Sequence, residues 1–311
     1  MLVFTDNVDF AREVMKASGQ WYDSNYLTGK ENIDSLREEF FKGKPNFTLD
    51  LDKENYWKYL FIVKYAEGSH YDLLIKLAQE NFELPDLLLA LAGEGRGFHG
   101  HKKRTWATLP GNIHLCVSLR PNKKIERFHV GYTILTAISA VQTIDGLPGM
   151  ESSAGIKWVN DILIDGSKVC GVLAHTQSQG DKVTNVTLGI GMNIMSSPDV
   201  EPTPFVPNVG AVIDYADHKG RWDNRDVFLS LRNNLARNNE ILMNGGYRKL
   251  LRDYIERSVI IGKEVSIYAD SETQSLGEPQ TGVVEAIGDN LELYLSGFKK
   301  PISSGRLVLN R

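Results

Sequence analysis

The chain has 311 residues, of which 42% are hydrophobic and 24% charged, and its formal net charge is −4. These proportions are typical of a globular protein with one large domain and one or two smaller ones, and they exclude a chain dominated by disorder. The small negative charge gives no global reason to bind nucleic acid. Any anion-binding surface must therefore come from a local concentration of positive charge.

Met1–Lys16 contains charged side chains where a signal peptide needs an apolar run. Asp6 is one of them, so export by that route is not expected. The longest apolar run, Leu87–Ala92, is too short for a membrane helix, and no membrane partner is expected. Cys116 and Cys170 have apolar neighbours and are expected to be reduced and buried, which indicates the cytoplasm.

Residues 1–57 predict two helices, Asp9–Ala17 and Asn32–Phe41, and carry more acidic than basic side chains. A helix-turn-helix that reads DNA normally presents a basic face to the phosphates. We therefore interpret residues 1–57 as an N-terminal extension that packs on the main domain, not as a DNA-binding helix-turn-helix, and expect no nucleic-acid partner.

Residues 58–257 alternate between strand and helix periods, which predicts an α/β domain. Asp165-Gly166 suits a tight turn between two hairpin strands. The predicted strands are Leu60–Tyr65, Leu87–Ala92, Ile113–Leu119, Ile156–Trp158, Ile162–Ile164, Lys168–Ala174 and Val183–Ile190. The predicted helices are one containing Val130, Ile134, Ile138 and Val141, and the segments Tyr71–Asn81, Asp226–Met243 and Tyr247–Arg257.

The pattern changes near Ser258, where short strands alternate with turns rich in Gly, Pro, Asp and Asn. Such a segment predicts a small β-barrel or sandwich over 258–311. Its predicted strands are Glu264–Ala269, Gly282–Ile287, Leu291–Leu295 and Arg306–Leu309.

The segment 93–106 combines glycines with a run of positive charge. Gly93, Gly95 and Gly97 would let backbone amides approach an anion closely, and Arg96 and Arg104 could bind phosphate through two hydrogen bonds each. A solvated mobile loop is the alternative interpretation. His99 and His101 lie in this segment without nearby carboxylate or thiol ligands, so no metal site is expected there.

Lys157-Trp158-Val159-Asn160-Asp161 follows an apolar strand, where an unpaired ammonium would be costly to bury. Lys157 therefore predicts an anionic ligand, a carboxylate or a phosphate, with Asp161 as a candidate metal-facing group. The alternative is a lysine at a sheet edge that reaches solvent. Lys168, after the hairpin turn, is expected to point to water.

Gly189-Ile190-Gly191-Met192-Asn193 ends a strand with small residues, which would let a flat ring or a phosphate lie on the backbone. Asn193 could bond to a purine edge. Alternatively, the glycines only relieve crowding within the sheet. Neither cysteine has a reactive setting and no Gly-x-Ser-x-Gly elbow occurs, so the expected chemistry is substrate positioning and charge neutralisation.

The chain resembles the biotin protein ligases in five motifs that follow one another in the family's order. The motifs are Gly93-x-Gly-Arg96…Arg104-x-Trp106, Pro110-Gly111-Asn112, Lys157-Trp-x-Asn160-Asp161, Lys168-x-x-Gly171 and Gly189-Ile-Gly-x-Asn193. The resemblance runs from about Leu60 to the C-terminus. It implies an α/β (α+β) catalytic domain with a mixed sheet like that of class II aminoacyl-tRNA synthetases, plus a C-terminal SH3-like β-barrel.

The resemblance also implies a two-step reaction in which biotin and MgATP give biotinyl-5′-AMP, and biotin then passes to a lysine of a biotin carboxyl carrier protein. By position, Lys157 and Arg96 are the catalytic candidates, and Mg²⁺ could lie near Asp161. The other implied ATP or adenylate contacts are Gly93, Gly95, Arg104, Trp106, Asn160, Asp161 and Asn193. The implied biotin contacts are Gly68, Ser69, Lys157, Gly171 and Gly189. A homodimer is a further expectation.

The residues for the biotin ring depart from the family pattern. Glu67-Gly68-Ser69-His70 stands in place of the usual Ser-Thr-Asn run, and Ala90 or Leu91 in place of a Gln. A ureido ring needs matched donors and acceptors, so lipoate or octanoate is an alternative acid. A catalytically silent protein that binds an acyl-adenylate or a carrier domain is the third interpretation, and the retained Lys157 argues against it.

Overall fold

The structure is a computed structural model that describes residues 1–15, 19–23, 30–51, 55–216, 222–269 and 278–310. Residues 16 and 17 of the first predicted helix lie outside these ranges. The helices are α1 Val8–Val14, α2 Glu31–Phe41, α3 His70–Gln79, α4 Phe128–Asp145, α5 Asn224–Met243 and α6 Tyr247–Glu256. The strands are β1 Leu2–Thr5, β2 Phe47–Asp50, β3 Tyr59–Ala66, β4 Leu88–Gly95, β5 Ile113–Leu119, β6 Ala154–Lys157, β7 Asp161–Ile164, β8 Ser167–Gln179, β9 Lys182–Met192, β10 Glu264–Tyr268, β11 Gln280–Ile287, β12 Leu293–Leu295 and β13 Arg306–Leu309.

Nine strands form one mixed sheet in the order β2-β1-β3-β4-β5-β9-β8-β7-β6. The pairs β1–β3 and β3–β4 are parallel, and the remaining pairs are antiparallel. The mixed α/β fold follows the alternation predicted from the sequence.

Sequence analysis did not predict β1 and β2. Both strands are four residues long, and β1 inserts beside β3, whereas β2 forms the edge. Both strands are short and pair with distant segments of the chain, so no local pattern marks them and pairing decides their conformation. The N-terminal residues thus extend the central sheet directly.

Helix α4 lies between the sheet and the helices α5 and α6. Most of its residues are buried, because a helix that is apolar on nearly all sides must have neighbours on each side. On the opposite face, α2 and α3 enclose a smaller core around Phe4, Phe61 and Leu74. The ring of Phe40 in α2 stacks on Phe61 at a centroid distance of 4.6 Å.

The strands β10 to β13 form a second sheet in the order β12-β11-β10-β13. Tyr247 in α6 donates a hydrogen bond to the main-chain carbonyl of Asp289, and Trp158 donates one to that of Leu291 at 2.6 Å. The second sheet is therefore bonded both to α6 and to the motif at 157–161. Among the helices of the described residues, none has the length and apolar character of a bilayer span.

Candidate functional site

One row of residues crosses five neighbouring strands on a single face of the large sheet. Lys157 lies opposite Asp161, Asp161 opposite Gly171, Gly171 opposite Gly191, and Gly191 opposite His114. Directly paired residues in an antiparallel sheet project to the same side. All five line one cavity of about 700 Å³, so this row, here called the cavity row, forms its floor.

Lys157 ends β6 and is only 6% exposed. Its ammonium donates a hydrogen bond to the main-chain carbonyl of Phe205. Burial lowers the pKa of Lys157; Asp161 raises it in part, and the nearby cations Lys168, Arg306 and Arg104 lower it further. An anion entering this end of the cavity would therefore be attracted by four clustered positive side chains.

Asp161 and Lys168 form an ion pair with an O–N distance of 2.6 Å, and both side chains are largely buried. The ammonium of Lys168 also lies 5.7 Å from the ring centroid of Trp106, a geometry favourable for a cation–π contact. The expectation that Lys168 points to water is wrong, because β7 and β8 pair so that its side chain meets the carboxylate.

The predicted metal-facing role of Asp161 finds no support in this geometry. Its carboxylate is occupied by Lys168, and the described residues contain no group of three His, Cys, Asp or Glu side chains that could hold a metal. The residues present do not fit a protein-built Mg²⁺ site.

Asn160 holds the turn between β6 and β7 in place. Its side-chain amide donates to the main-chain carbonyl of Val172 at 2.7 Å, and its main-chain carbonyl accepts from the Val172 N–H at 3.0 Å. Asn160 lines the cavity, and the bond to Val172 uses one of the two N–H donors of its side-chain amide.

Gly171, Gly189 and Gly191 make room for aromatic rings above the sheet. A Cβ on Gly191 would lie 2.7 Å from Trp106 Nε1, and one on Gly189 would lie 3.0 Å from the Tyr71 ring. Both distances are shorter than normal carbon contacts. The flat groups that lie on this backbone are thus two of the protein's own side chains.

The glycine-rich, positively charged segment predicted at 93–106, here called the cationic loop, begins only after β4 ends at Gly95. Gly93 and Gly95 belong to β4, and a Cβ on Gly93 would lie 2.7 Å from the Phe10 ring. Arg96 is exposed and pairs with Glu67 at 2.9 Å. It lines a second, adjoining cavity of about 690 Å³ together with Gly95, whereas Arg104 lines the first.

A three-residue cluster, missed in the sequence, fastens this loop to α3. His99 Nε2 lies 2.8 Å from Asp72 Oδ2, and Lys103 Nζ lies 2.9 Å from Asp72 Oδ1. Asp72 stands in the first turn of α3, whose N-cap is Ser69. The sequence separation of about thirty residues hides this contact, and no local pattern could have indicated it.

The candidate acid-binding residues divide between the cavity and its surroundings. Ser69 lines the cavity, and its hydroxyl oxygen accepts from the Asp72 N–H at 3.3 Å. Gly68 is not among the described residues that line either cavity. Ala90 pairs with Cys116 but is itself fully buried in the core. Cys116 lines the cavity, so the wall at this point is apolar.

Asn193 braces a neighbouring turn. It is 1% exposed, its side-chain amide donates to Gly210 O at 3.2 Å, and its side-chain oxygen accepts from Asn112 at 3.5 Å. Asn112 in turn accepts from the N–H groups of Ile194 to Ser196. Asn193 lines the cavity, but its side-chain nitrogen and oxygen both form hydrogen bonds within the protein.

The C-terminal sheet contributes directly to the cavity, which the sequence did not reveal. Residues 303–307 line it. The guanidinium of Arg306 lies 3.5 Å from the centroid of the Phe205 ring, above the segment whose carbonyl accepts from Lys157. Because 258–311 was interpreted as a separate unit, its loop had no predicted role in the site.

The chain is similar to known proteins over part of its length. Residues 75–193 match the family model described as the biotin/lipoate A/B protein ligase family. The bifunctional ligase/repressor BirA of Bacillus subtilis is 33% identical over 123 residues, which span 39% of this chain and 37% of that protein. A biotin–[acetyl-CoA-carboxylase] ligase of Paracoccus denitrificans is 27% identical over 67% of this chain and 83% of its own length.

The fold is also shared with solved structures. The biotin protein ligase of Aquifex aeolicus in complex with biotin and ATP superposes with a TM-score of 0.61 at 17% identity, covering 82% of this chain and all of that one. The residues matched by the family model include the whole cavity row. The chain is thus similar to biotin protein ligases, and it spans 37% of the length of the Bacillus subtilis relative.

Proposed function

We propose that the protein is an ATP-dependent biotin protein ligase. It would join biotin to ATP as biotinyl-5′-AMP with release of pyrophosphate, and then transfer biotin to a lysine of a biotin carboxyl carrier protein. The observation that supports this most directly is the buried Lys157 ammonium at one end of a large cavity, with Lys168, Arg104 and Arg306 close enough to affect its pKa.

A cluster of positive side chains suits the proposed reaction because both reactants are anions. A carboxylate oxygen of the acid attacks the α-phosphorus of ATP, the P–O bond to the β-phosphate breaks, and pyrophosphate leaves. Lys157 would bridge the carboxylate and the α-phosphate, so their mutual repulsion falls. In the second step the acceptor amine attacks the acyl carbon, AMP leaves, and the amine loses a proton.

Other residues would act around this centre. Arg104 lines the cavity and would neutralise phosphate charge, and Arg96 would join it by leaving Glu67 as the loop closes. Trp106 would cover the bound adenylate and exclude water. Gly93 and Gly95 would shape the loop from within β4, and Asn160, Asp161 and Asn193 would support the nucleotide side through the bonds described above.

Magnesium would arrive bound to the phosphates of ATP, since the described side chains do not assemble a metal site. No step above is assigned to it.

A lipoate or octanoate ligase is the second candidate. It is favoured by the apolar cavity wall at Cys116, which would accept a plain chain as well as a ring. Gly171, Gly189 and Ser69 would border the acid in either case.

The experiment is acid-dependent ATP–pyrophosphate exchange with purified protein and biotin, lipoate or octanoate in turn. Exchange that is fastest with biotin supports the proposal, and exchange fastest with octanoate or lipoate supports the second candidate. Tight binding of biotin and ATP without exchange for any acid would indicate the silent binder and overturn both.

We further propose that residues 58–257 act as the catalytic domain, that 1–57 is its extension, and that 258–311 is an SH3-like module. The two free, buried cysteines favour action in the cytoplasm. A homodimer is proposed as the assembly, with light scattering as its test.

A further inference from the structure

One carboxylate at the rim of the main cavity has no ion-pair partner. Of the described residues that line this cavity, only Asp161 and Glu201 are acidic, and the carboxylate of Asp161 is held by Lys168. Glu201 is exposed, and its carboxylate takes part in no ion pair or hydrogen bond within the described part of the chain. Its charge is therefore available to a ligand.

The segment that carries Glu201 is tied to the candidate reacting centre. The Thr203 N–H donates to Val206 O at 3.0 Å and the Val206 N–H donates to Thr203 O at 3.1 Å, which closes a tight turn. Within this turn, the carbonyl of Phe205 accepts from the Lys157 ammonium. Glu201 precedes Phe205 by four residues, so their backbones lie at most roughly 14 Å apart. Glu201 thus borders the end of the cavity at which Lys157 lies.

A carboxylate has the wrong charge for either reactant of the proposed first step. The acid and ATP are both anions, and the cations Lys168, Arg306 and Arg104 lie close enough to Lys157 to lower its pKa. A free negative charge on Glu201 weakens the attraction of this cluster for anions. A cationic ligand, by contrast, would be drawn to Glu201.

The proposed second step supplies such a cation. The side chain of an acceptor lysine is an ammonium at neutral pH, and the positive cluster around Lys157 would repel it on its way to the acyl carbon. A carboxylate at the rim offsets this repulsion. Val200, next to Glu201, also lines the cavity and is 45% exposed, so it offers an apolar contact to the methylene stem of a lysine.

We propose that Glu201 binds the ammonium of the acceptor lysine at the rim of the cavity, with Val200 against its stem. The ammonium then loses its proton to solvent, and the free amine attacks the acyl carbon. The bond from that carbon to the phosphate oxygen breaks, and AMP leaves. This proposal rests on the proposed function and adds to it the residues that receive the acceptor.

The test compares a charged with a neutral nucleophile on the full chain. Biotinyl-5′-AMP is formed from biotin and ATP on an excess of protein, and its breakdown is followed with Nα-acetyllysinamide, an ammonium at neutral pH, or with uncharged hydroxylamine. The readout is the ratio of the two rate constants, because a merely structural fault lowers both together.

The variants are Glu201→Gln, Glu201→Lys and the matched control Asp199→Asn. Asp199 is also exposed but is not among the described residues that line the cavity. At low ionic strength we expect Glu201→Gln to lower the ratio of the lysinamide to the hydroxylamine rate constant about two- to fivefold, the effect of one exposed ion pair. Glu201→Lys should lower it further, and added salt should shrink both differences.

A ratio that neither Glu201 variant changes would overturn the role of Glu201 and leave the proposed function standing. An equal loss in Asp199→Asn would also overturn it, because a general negative charge on this segment would then be sufficient. A wild-type protein that forms no biotinyl-5′-AMP would overturn the proposed function itself.

Discussion

Lys157 donates its ammonium hydrogen bond to the main-chain carbonyl of Phe205. The Phe205 ring, in turn, lies beneath the guanidinium of Arg306 from the C-terminal sheet. A carbonyl oxygen thus holds the position next to the ammonium that a substrate anion would take. Because a full negative charge interacts more strongly with an ammonium than a carbonyl dipole does, the substrate would displace Phe205.

Replacement of Lys157 by alanine should remove acid activation. We expect Lys157→Ala to lower biotin-dependent pyrophosphate exchange about a hundred- to a thousandfold, because a preorganised charge is lost at the reacting centre. Exchange kinetics and circular dichroism provide the measurement. Lys182→Ala is the matched control, since Lys182 is an exposed lysine of β9. Near-normal exchange by a folded Lys157→Ala protein would contradict the assignment.

Substitution of Gly191 tests how tightly Trp106 packs on the cavity row. The added Cβ of Gly191→Ala would overlap the indole ring, so we expect a loss of about 1–3 kcal/mol in the free energy of unfolding. Urea denaturation measures it. In a Trp106→Ala background the same substitution should cost much less, because the ring is gone. Equal costs in both backgrounds would show that the overlap is relieved elsewhere.

The Asp72 cluster should control how readily the cationic loop opens. Asp72→Asn weakens both contacts, to His99 and to Lys103, so we expect faster tryptic cleavage after Lys102 and Lys103. Mass spectrometry of a digestion time course follows this, with Asp181→Asn as the control because its exposed pair with Lys124 lies elsewhere.

In the wild type, biotin with ATP should slow that cleavage, since closure over an adenylate covers the loop. Cleavage that is unaffected by Asp72→Asn and by both ligands would mean that the cluster does not hold the loop.

Two buried histidines should make the fold sensitive to acid. Burial lowers the pKa of His70 from 6.5 to about 3, with a smaller effect from Lys42, and that of His114 to about 4. Between these values and 6.5 the unfolded chain binds protons that the folded protein does not. The free energy of unfolding therefore falls as the pH drops below 6.5, by about 1.4 kcal/mol per pH unit for each fully shifted histidine.

The measurement is the unfolding temperature between pH 7.5 and pH 5. In His70→Phe the decline should be shallower than in the wild type, whereas His129→Phe, which alters an exposed residue, should leave it unchanged. Identical declines in all three proteins would show that carboxylates, not the buried histidines, govern the acid response.

Most of the fold could be predicted from local pattern. The predicted bounds of the strand Ile113–Leu119 and of the helices beginning near Tyr71 and Tyr247 agree with the observed bounds within two residues. In long segments the strand or helix period is visible in the sequence itself. The strands Leu2–Thr5 and Phe47–Asp50 were missed, because each is short and pairs with a distant segment of the chain. The equally short strand Asp161–Ile164 was predicted because a tight turn joins it to its partner.

The candidate site was only partly visible in the sequence. Lys157 and the glycines could be named because a buried ammonium and repeated small residues at a strand end conflict with ordinary packing. The contacts between these side chains could not be predicted. The pairing of Asp161 with Lys168, and the fastening of His99 to Asp72, join residues separated along the chain.

The sequence alone was enough to propose a class of chemistry, through the charge of Lys157 and the order of its motifs, because residue type and spacing are local properties. Only the tertiary structure decided the cavity row and what lies along it. Strand register sets Lys157 and His114 on the same face at opposite ends of one cavity, and register arises from pairing between distant segments.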